Sequence, residues 1–495
     1  MKKIVSIALA VLMLLAAIPV MAVSAEENII KIVDANGADV KSYATLQEAV
    51  TAVKDDQKIL VLDDYTLPKY LTQSTYNKDD LRDIVIEGVT KADGTKPKIT
   101  ATVGFTDQLG IYNLTVRNLN IYNPNTTYFA MFMYDPYVGS AWYNDHGEQT
   151  LTIDNCELLS NNQIFKLYGG NDGAKERSAY NVVIKDSTVV MDGAEVLLYT
   201  NNGASSNLDI QNSTIKFLKG KDTEAGTQMF LYNSGEVGKH TVKISGNSVI
   251  ECATNTATCV KSGMFAKYAG TLDVELGEGV TLYMNAGAVH TDNWFFRGTA
   301  NITDNGATWK VSKTTLANGV VLPVANGISA WMGNGALLPA DEFYSGDAEG
   351  DTVFSLLSAD AYTIMNGAGY KEGGMAFGMS VSDAFVAAVG ENAKFGLLIA
   401  PEEYAMFGFD KGSLNPGQYI ELSTDAAGLV NGEEGRKNCI LGFGGFPADN
   451  YDAKYVEISA IGFIEYEDAN GEKVTLYTAE RYTISYAELA AAAAK

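Results

Sequence analysis

The sequence predicts a mainly β protein whose larger part is a parallel β-helix, one chain wound so that three short strands complete each turn. Two recurring motifs and the composition point there. An aliphatic residue followed two positions later by Gly, Asn or Asp recurs at Ile86/Gly88, Val116/Asn118, Ile153/Asn155, Ile184/Asp186, Ile210/Asn212, Ile244/Gly246 and Ile302/Asp304. Counting Val274, whose Gly277 comes one residue late, the anchors lie 30, 37, 31, 26, 34, 30 and 28 residues apart. A second motif, an apolar or aromatic strand, occurs once in each of the six intervals from Val116 on: MFMYDP, IFKLYGG, VLLYTN, MFLYNS, MFAKYAG and WFFRGT. The composition agrees, because 48 Gly against 10 Pro with 27 Tyr suits a turn-rich β chain better than a helical bundle.

A chain of 495 residues exceeds one core, so several domains or an array is expected. Residues 1–25 read as a secretory signal. Lys2 and Lys3 precede an apolar run from Ile4 to Val20, and Val23, Ser24 and Ala25 offer small residues for cleavage. No second long apolar run follows, so no membrane span is expected after cleavage. Residues 26–80 read as an N-terminal cap. Strands are expected at 29–33 and 58–62, and between them Thr45 with Glu48 three residues on makes a capping box that opens a short helix.

Residues 81–315 are the repeat region. The second position after each anchor holds residue types that tolerate a left-handed backbone, as a tight bend between strands requires. Three residues beyond the bend the chain is apolar again, at Ile121, Leu158, Val189, Ile215 and Val249. Stacking turn on turn makes these an aliphatic ladder. Cys156, Ser187 and Ser213 share one small-residue position, so Cys156 reads as a core filler rather than a nucleophile. Cys252 and Cys259 are near enough to bridge, but their spacing does not decide whether they do. Four Cys without a Cys-x-x-Cys, and three His, argue against a metal site. Tyr134, Tyr168, Tyr199, Tyr232 and Tyr268 end the third strands and are expected to stack.

Residues 316–351, Gly-rich and then acidic, read as a linker, and 352–495 as a β-rich C-terminal module. Its hairpin turns at Asp468-Ala469-Asn470-Gly471, and a short helix closes the chain around Glu488.

The strand–helix–strand opening with its Thr45-Leu46-Gln47-Glu48-Ala49 stretch resembles that of secreted, pectate-lyase-like β-helix proteins. The resemblance covers about residues 29–312. It implies a right-handed β-helix and contact with extracellular polysaccharide. The GMAFGMSV, FGLLIAP and RYTISYAEL segments resemble an uncharacterised C-terminal module of secreted proteins from Gram-positive gut bacteria, which implies no activity. The Arg-x-Pro-x-x-Arg arrangement of pectate lyases is absent, as are the Asn-Thr-Asp, Gly-Asp-Asp and Gly-His-Gly motifs of polygalacturonases.

The functional expectations follow from charge and aromatics. A formal charge of -24 argues against nucleic acid and polyanionic partners. The long connection from Asn123 to Gly147 carries Tyr137, Trp142, Tyr143 and Asp145, rings and an acceptor suited to sugar faces and hydroxyls. These four are the candidate ligand-binding residues, with an extracellular polysaccharide or cell-surface glycan as partner. Lys166, Lys267 and Arg297, on or beside third strands, are the candidate bases if the chain is a lyase, and only then is calcium expected. The expected function is a secreted, non-catalytic, glycan-binding or adhesive surface protein. The alternatives are an extracellular polysaccharide lyase or glycoside hydrolase, and a stalk without a sugar ligand.

Overall fold

The computed structural model describes residues 28–72, 83–107, 113–127, 130–134, 149–168, 179–192, 196–201, 204–219, 227–233, 238–253, 261–266, 271–285, 293–297, 301–321, 328–333, 336–338, 343–344, 349–358, 361–406, 408–445, 451–467, 473–478 and 480–495. The chain is mainly β. Three long sheets of 11, 12 and 9 strands, parallel over most of their length, are followed by antiparallel sheets of 4 and 5 strands. The chain visits the long sheets in rotation. Leu114–Arg117 lies in the first, Asn120–Asn123 in the second and Phe132–Tyr134 in the third, and Gln149–Asp154 then rejoins the first beside Leu114–Arg117. One such triplet is a rung.

The bend between the first two sheets sets the phase of each rung. Asn118, Asn155, Asp186 and Asn212 have φ of 52, 50, 49 and 46°, and Gly246 has 64°. These are the left-handed positions expected from the motif, and Asn, Asp and Gly accept that conformation at least cost. Gly88 departs from the pattern, since it stays within strand Ile84–Gly88. A Cβ there would lie 2.1 Å from the Asn118 carbonyl oxygen, so close approach of backbone excludes a side chain. At the other end the bend widens. Asp304 accepts from the amides of Gly306 and Ala307 at 3.0 and 2.7 Å, and Gly306 takes the positive φ.

The interior is aliphatic. In register, Ile86, Val116, Ile153, Ile184, Ile210, Ile244 and Leu276 form one row, and Ile99, Ile121, Leu158, Val189, Ile215, Ile250 and Leu282 a second. All are buried. Two positions differ from the sequence reading. Ile250, not Val249, pairs with Ile215, because Asn247 lengthens that bend by one residue. Leu276, not Val274, continues the Ile244 row. Val274 pairs with Val242 and Ile302 with Val274, and a two-residue offset leaves the face unchanged.

A hydroxyl ladder runs beside the bends. The amide of Cys156 donates to the Ser187 hydroxyl at 2.9 Å, that of Ser187 to Ser213 at 3.0 Å, and that of Ser213 to Ser248 at 3.1 Å. Each hydroxyl donates back to a carbonyl of its own rung, Ser187 to Lys185, Ser213 to Gln211 and Ser248 to Ser245. Buried amides are thereby satisfied at a corner the sheet ladders do not reach. Cys156 ends the ladder as a buried free thiol, pushed up to about 11 by burial. It is a filler.

The N-terminal end is covered as expected. Helix Leu46–Ala52 starts at a complete Thr45/Glu48 capping box and buries Leu46, Ala49 and Val50. Ile30–Val33 pairs antiparallel with Lys58–Val61, which continues parallel onto Ile84–Gly88. At the far end, the stretch expected as a linker carries strands of its own. Val320–Val321 pairs with Asn293–Arg297 and Phe343–Tyr344 folds back on Val320–Val321, while Thr352–Ser358, expected to begin the C-terminal module, runs antiparallel to Thr308–Val311 in the second sheet. Trp309 and Trp331, both fully buried, meet edge to face at 5.2 Å and plug this end.

The antiparallel sheets enclose a separate core that includes Phe377, Met379, Phe385, Phe395, Leu397 and Ile464. A Cβ on Gly462 would lie 2.5 Å from the Met379 sulfur, so glycine lets the sheets approach there. Glu457–Glu467 and Lys473–Tyr477 form the expected hairpin arms, and their connection lies outside the described residues. Helix Tyr486–Ala493 closes the chain from a Ser485/Glu488 capping box.

Two stability outcomes follow. Ile210→Asp places a charge in the aliphatic row and is expected to destabilise by roughly 3 kcal/mol or more in denaturant unfolding. Ser213→Ala leaves the Ser187 amide without its acceptor and should cost about 1–3 kcal/mol, although the volume change is small.

Candidate functional site

Strand alternation decides which side chains the rungs present outward. On the second sheet two outward rows result. One is Lys98, Asn120, Glu157, Thr188 and Thr214; the other is Thr100, Tyr122, Leu159, Val190 and Lys216. Across the rungs of Tyr122, Leu159 and Val190 the face forms an open concavity of about 640 Å³. Its floor is Tyr122, Leu159 and Val190, and along one side stand Lys98, Asn120, Glu157 and Thr188. Leu159 is 38% exposed, a large aliphatic group held in water by the rungs on either side.

The polar side of this concavity is nearly charge-balanced. Glu157 lies 4.0 Å from the Lys96 ammonium, and the Lys98 ammonium sits 5.1 Å from the centre of the Tyr122 ring. The Asn120 side-chain oxygen is buried against the sheet with no hydrogen-bond donor. A flat apolar floor beside amide, hydroxyl and carboxylate groups suits a ligand with one apolar face and a hydroxylated edge.

Farther along the same face the character changes. Lys216 pairs with Glu251 at 2.9 Å, and Glu251 also accepts from Asn285 at 2.9 Å. In the last parallel rungs, Lys310 stands 4.5 Å over the Tyr283 ring and 2.7 Å from Asp351, which also accepts from the Tyr283 hydroxyl at 3.1 Å. The Lys310 ammonium, ahead of the Tyr283 hydroxyl, holds the Asp351 carboxyl below its ordinary range. Burial, followed by the neighbouring Asp351 charge, pushes the Tyr283 phenol up to about 12. This cluster ties the first residue before the returning strand Thr352–Ser358 to the second sheet.

The residues singled out from sequence fall elsewhere. Tyr137, Trp142, Tyr143, Asp145 and Lys267 lie outside the described residues. Lys166 is in the third sheet, 2% exposed, with its ammonium 5.3 Å from the centre of the Tyr199 ring. A general base must reach a proton on substrate, and Lys166 is closed off from solvent. Arg297 ends strand Asn293–Arg297, four strands along that sheet from Phe165–Tyr168, or about 19 Å at the usual strand spacing. The two are too far apart to serve one reacting atom. The expected tyrosine stack is broken by register. Tyr199 pairs with Tyr232, but Tyr134 pairs with Leu167 and Tyr168 with Asn201.

One pair of nucleophile–base type is present. The Ser206 hydroxyl and the Nδ1 of His240 are 2.9 Å apart. Both residues are fully buried in the inward row that runs from Tyr180 to Leu272, so no reactant reaches them. The pair is part of the core. Among the described residues, no three His, Cys, Asp or Glu side chains are grouped to hold a metal ion, and no helix is long and apolar enough to cross a membrane.

Sequence reasoning missed Tyr122, Leu159 and Val190 because they belong to segments 31 to 37 residues apart and only register unites them. Comparison with protein-family models, curated proteins and solved structures found no match to this chain.

The Asp351 cluster has a defined pH dependence. A carboxyl depressed in the folded state contributes stability above its unfolded value, about 3.9, and that contribution is lost as pH falls through the lower folded value. Asp351→Asn should lower stability at neutral pH by about 1 kcal/mol or less, given its partial exposure, and the difference from the parent should shrink as pH falls below about 3.9 and through the lower folded value. Paired thermal melts at neutral and acidic pH check it.

Proposed function

We propose that this chain is a secreted bacterial surface or matrix protein, a right-handed parallel β-helix with a β-rich C-terminal module, that binds extracellular glycan without cleaving it. The concavity floored by Tyr122, Leu159 and Val190 carries the reading. Sugar rings offer one face of C–H groups to such a floor and an edge of hydroxyls to Asn120, Glu157 and Thr188. Rotation of the chain through three long parallel sheets supports the β-helix, and the pectate-lyase-like opening supports its right hand. The charged, apolar and small-residue order of residues 1–25 supports secretion. The absence of the lyase and polygalacturonase motifs favours binding over cleavage, as does the separation of Lys166 from Arg297.

A glycan array run beside a depolymerisation screen, with and without calcium, tests this. Retention of one or more glycans with no product release is expected; product release in the screen would replace the reading with a lyase or hydrolase. Tyr122→Ala should weaken the retained glycan at least tenfold while shifting the melting temperature by no more than a few degrees, because the ring is on the outer face. In a parallel variant, Trp142→Ala with Tyr143→Ala reports on the connection from Asn123 to Gly147. Lost binding with unchanged melting would make that connection part of the site, and a large melting drop with binding retained would make those rings packing residues.

A further inference from the structure

Resting on the glycan-binding reading, the geometry of the second sheet points to one ligand class: a linear, uncharged polysaccharide lying across the strands, with three consecutive sugar rings over Tyr122, Leu159 and Val190. The direction comes from the register. These three residues are direct partners on adjacent parallel strands, so the floor repeats every 4.8 Å or so at right angles to the strands. One pyranose ring in an extended chain advances by a similar length. A chain running along a strand would instead meet one platform and then the polar row, because only alternate residues face outward.

The length of the site comes from where the floor stops. Before Tyr122 the row holds Thr100, and after Val190 it holds Lys216, whose ammonium is bound to Glu251 at 2.9 Å. An ion pair standing in the row is a hydrated obstacle to a stacked ring, so the platform ends after three rungs. The hydroxyl edge comes from the neighbouring row, where Asn120, Glu157 and Thr188 stand one per rung and in register with one another. Each ring then meets one apolar platform and one polar group.

Absence of charge on the ligand follows from the chain as a whole rather than from the rim, where Lys96 and Lys98 stand beside the single carboxylate of Glu157. The chain's formal charge of -24 opposes a polyanion from a distance.

Calorimetric titration of the full mature chain with β-1,4-linked gluco-, manno- and xylo-oligosaccharides of one to six units tests the inference, with oligogalacturonides as the charged comparison. In at least one neutral series the affinity should rise several-fold per unit up to three units and change less than twofold beyond. Oligogalacturonides should bind at least tenfold more weakly. Leu159→Glu, a substitution at an exposed position, should abolish the gain from the second and third units while the melting temperature stays within a few degrees. A length dependence that continues past four units, or preference for oligogalacturonides, would overturn it. Binding that is unchanged in Leu159→Glu would overturn the placement while leaving the glycan reading intact, whereas a silent array together with silent titrations removes both.

Discussion

A single left-handed residue at each rung is the constraint on which the rest of the long sheets depends. Asn118, Asn155, Asp186, Asn212 and Gly246 each open the corner that carries the chain from the first sheet into the second, in two residues at the first four and three at Gly246. A turn that short fixes how far each second-sheet strand lags its first-sheet strand, so the two aliphatic rows stay aligned over many rungs. Few residue types tolerate the conformation, and a β-branched residue there would strain the backbone of two sheets together. The close contact of the Asn118 carbonyl with Gly88 shows how little space remains at the corner.

The hydroxyl ladder is the polar counterpart of that bend. A corner made in two or three residues leaves amides pointing along the stack rather than into a sheet. Ser187, Ser213 and Ser248 accept those amides and return their protons to carbonyls of their own rungs. Small size and a hydroxyl are both needed, which is why Ser recurs where a purely apolar core would take Ala. Cys156 keeps the size, its sulfur lies 3.4 and 3.3 Å from the Val116 and Asp154 carbonyl oxygens and is hydrogen-bonded to the Leu119 backbone, and the serine row ends there. Aliphatic packing and hydrogen-bond satisfaction thus run side by side within a few ångströms.

Much of this architecture was legible in the sequence because it rests on residue types that few others can replace. Asn, Asp and Gly at the bends, Ser and Cys beside them, and Thr45 with Glu48 at the cap all act through local chemistry. What remained hidden depends on register between distant segments. A period of two cannot distinguish Leu276 from Val274 as the row partner of Ile244, since both face inward. The one-residue lengthening at Asn247 moved burial from Val249 to Ile250 without altering composition. The tyrosines failed to stack because the strands are offset in register, with Phe165 opposite Leu198 and Tyr168 therefore opposite Asn201, and with Tyr134 opposite Leu167. The Tyr122, Leu159 and Val190 floor escaped notice for the same reason in reverse: each looks unremarkable in its own segment. Strand-like stretches at 328–333 and 352–358 carried no mark of which sheet they would join.

The return of Thr352–Ser358 along Thr308–Val311 has a mechanical consequence. Neighbouring strands in the parallel stack are joined through some thirty residues of intervening chain, so tension on the polypeptide cannot open one rung without unwinding the whole of it. The antiparallel strand is different, because it is the first stretch of the long sheets that a pull transmitted through the C-terminal module would meet. Its hydrogen bonds release one after another, like a zip, at a force set by single bonds. Behind it stand the Trp309–Trp331 contact and then the rungs, each of which must be lost entire. Within the long sheets, a load arriving from the C-terminal module would therefore open Thr352–Ser358 before any rung.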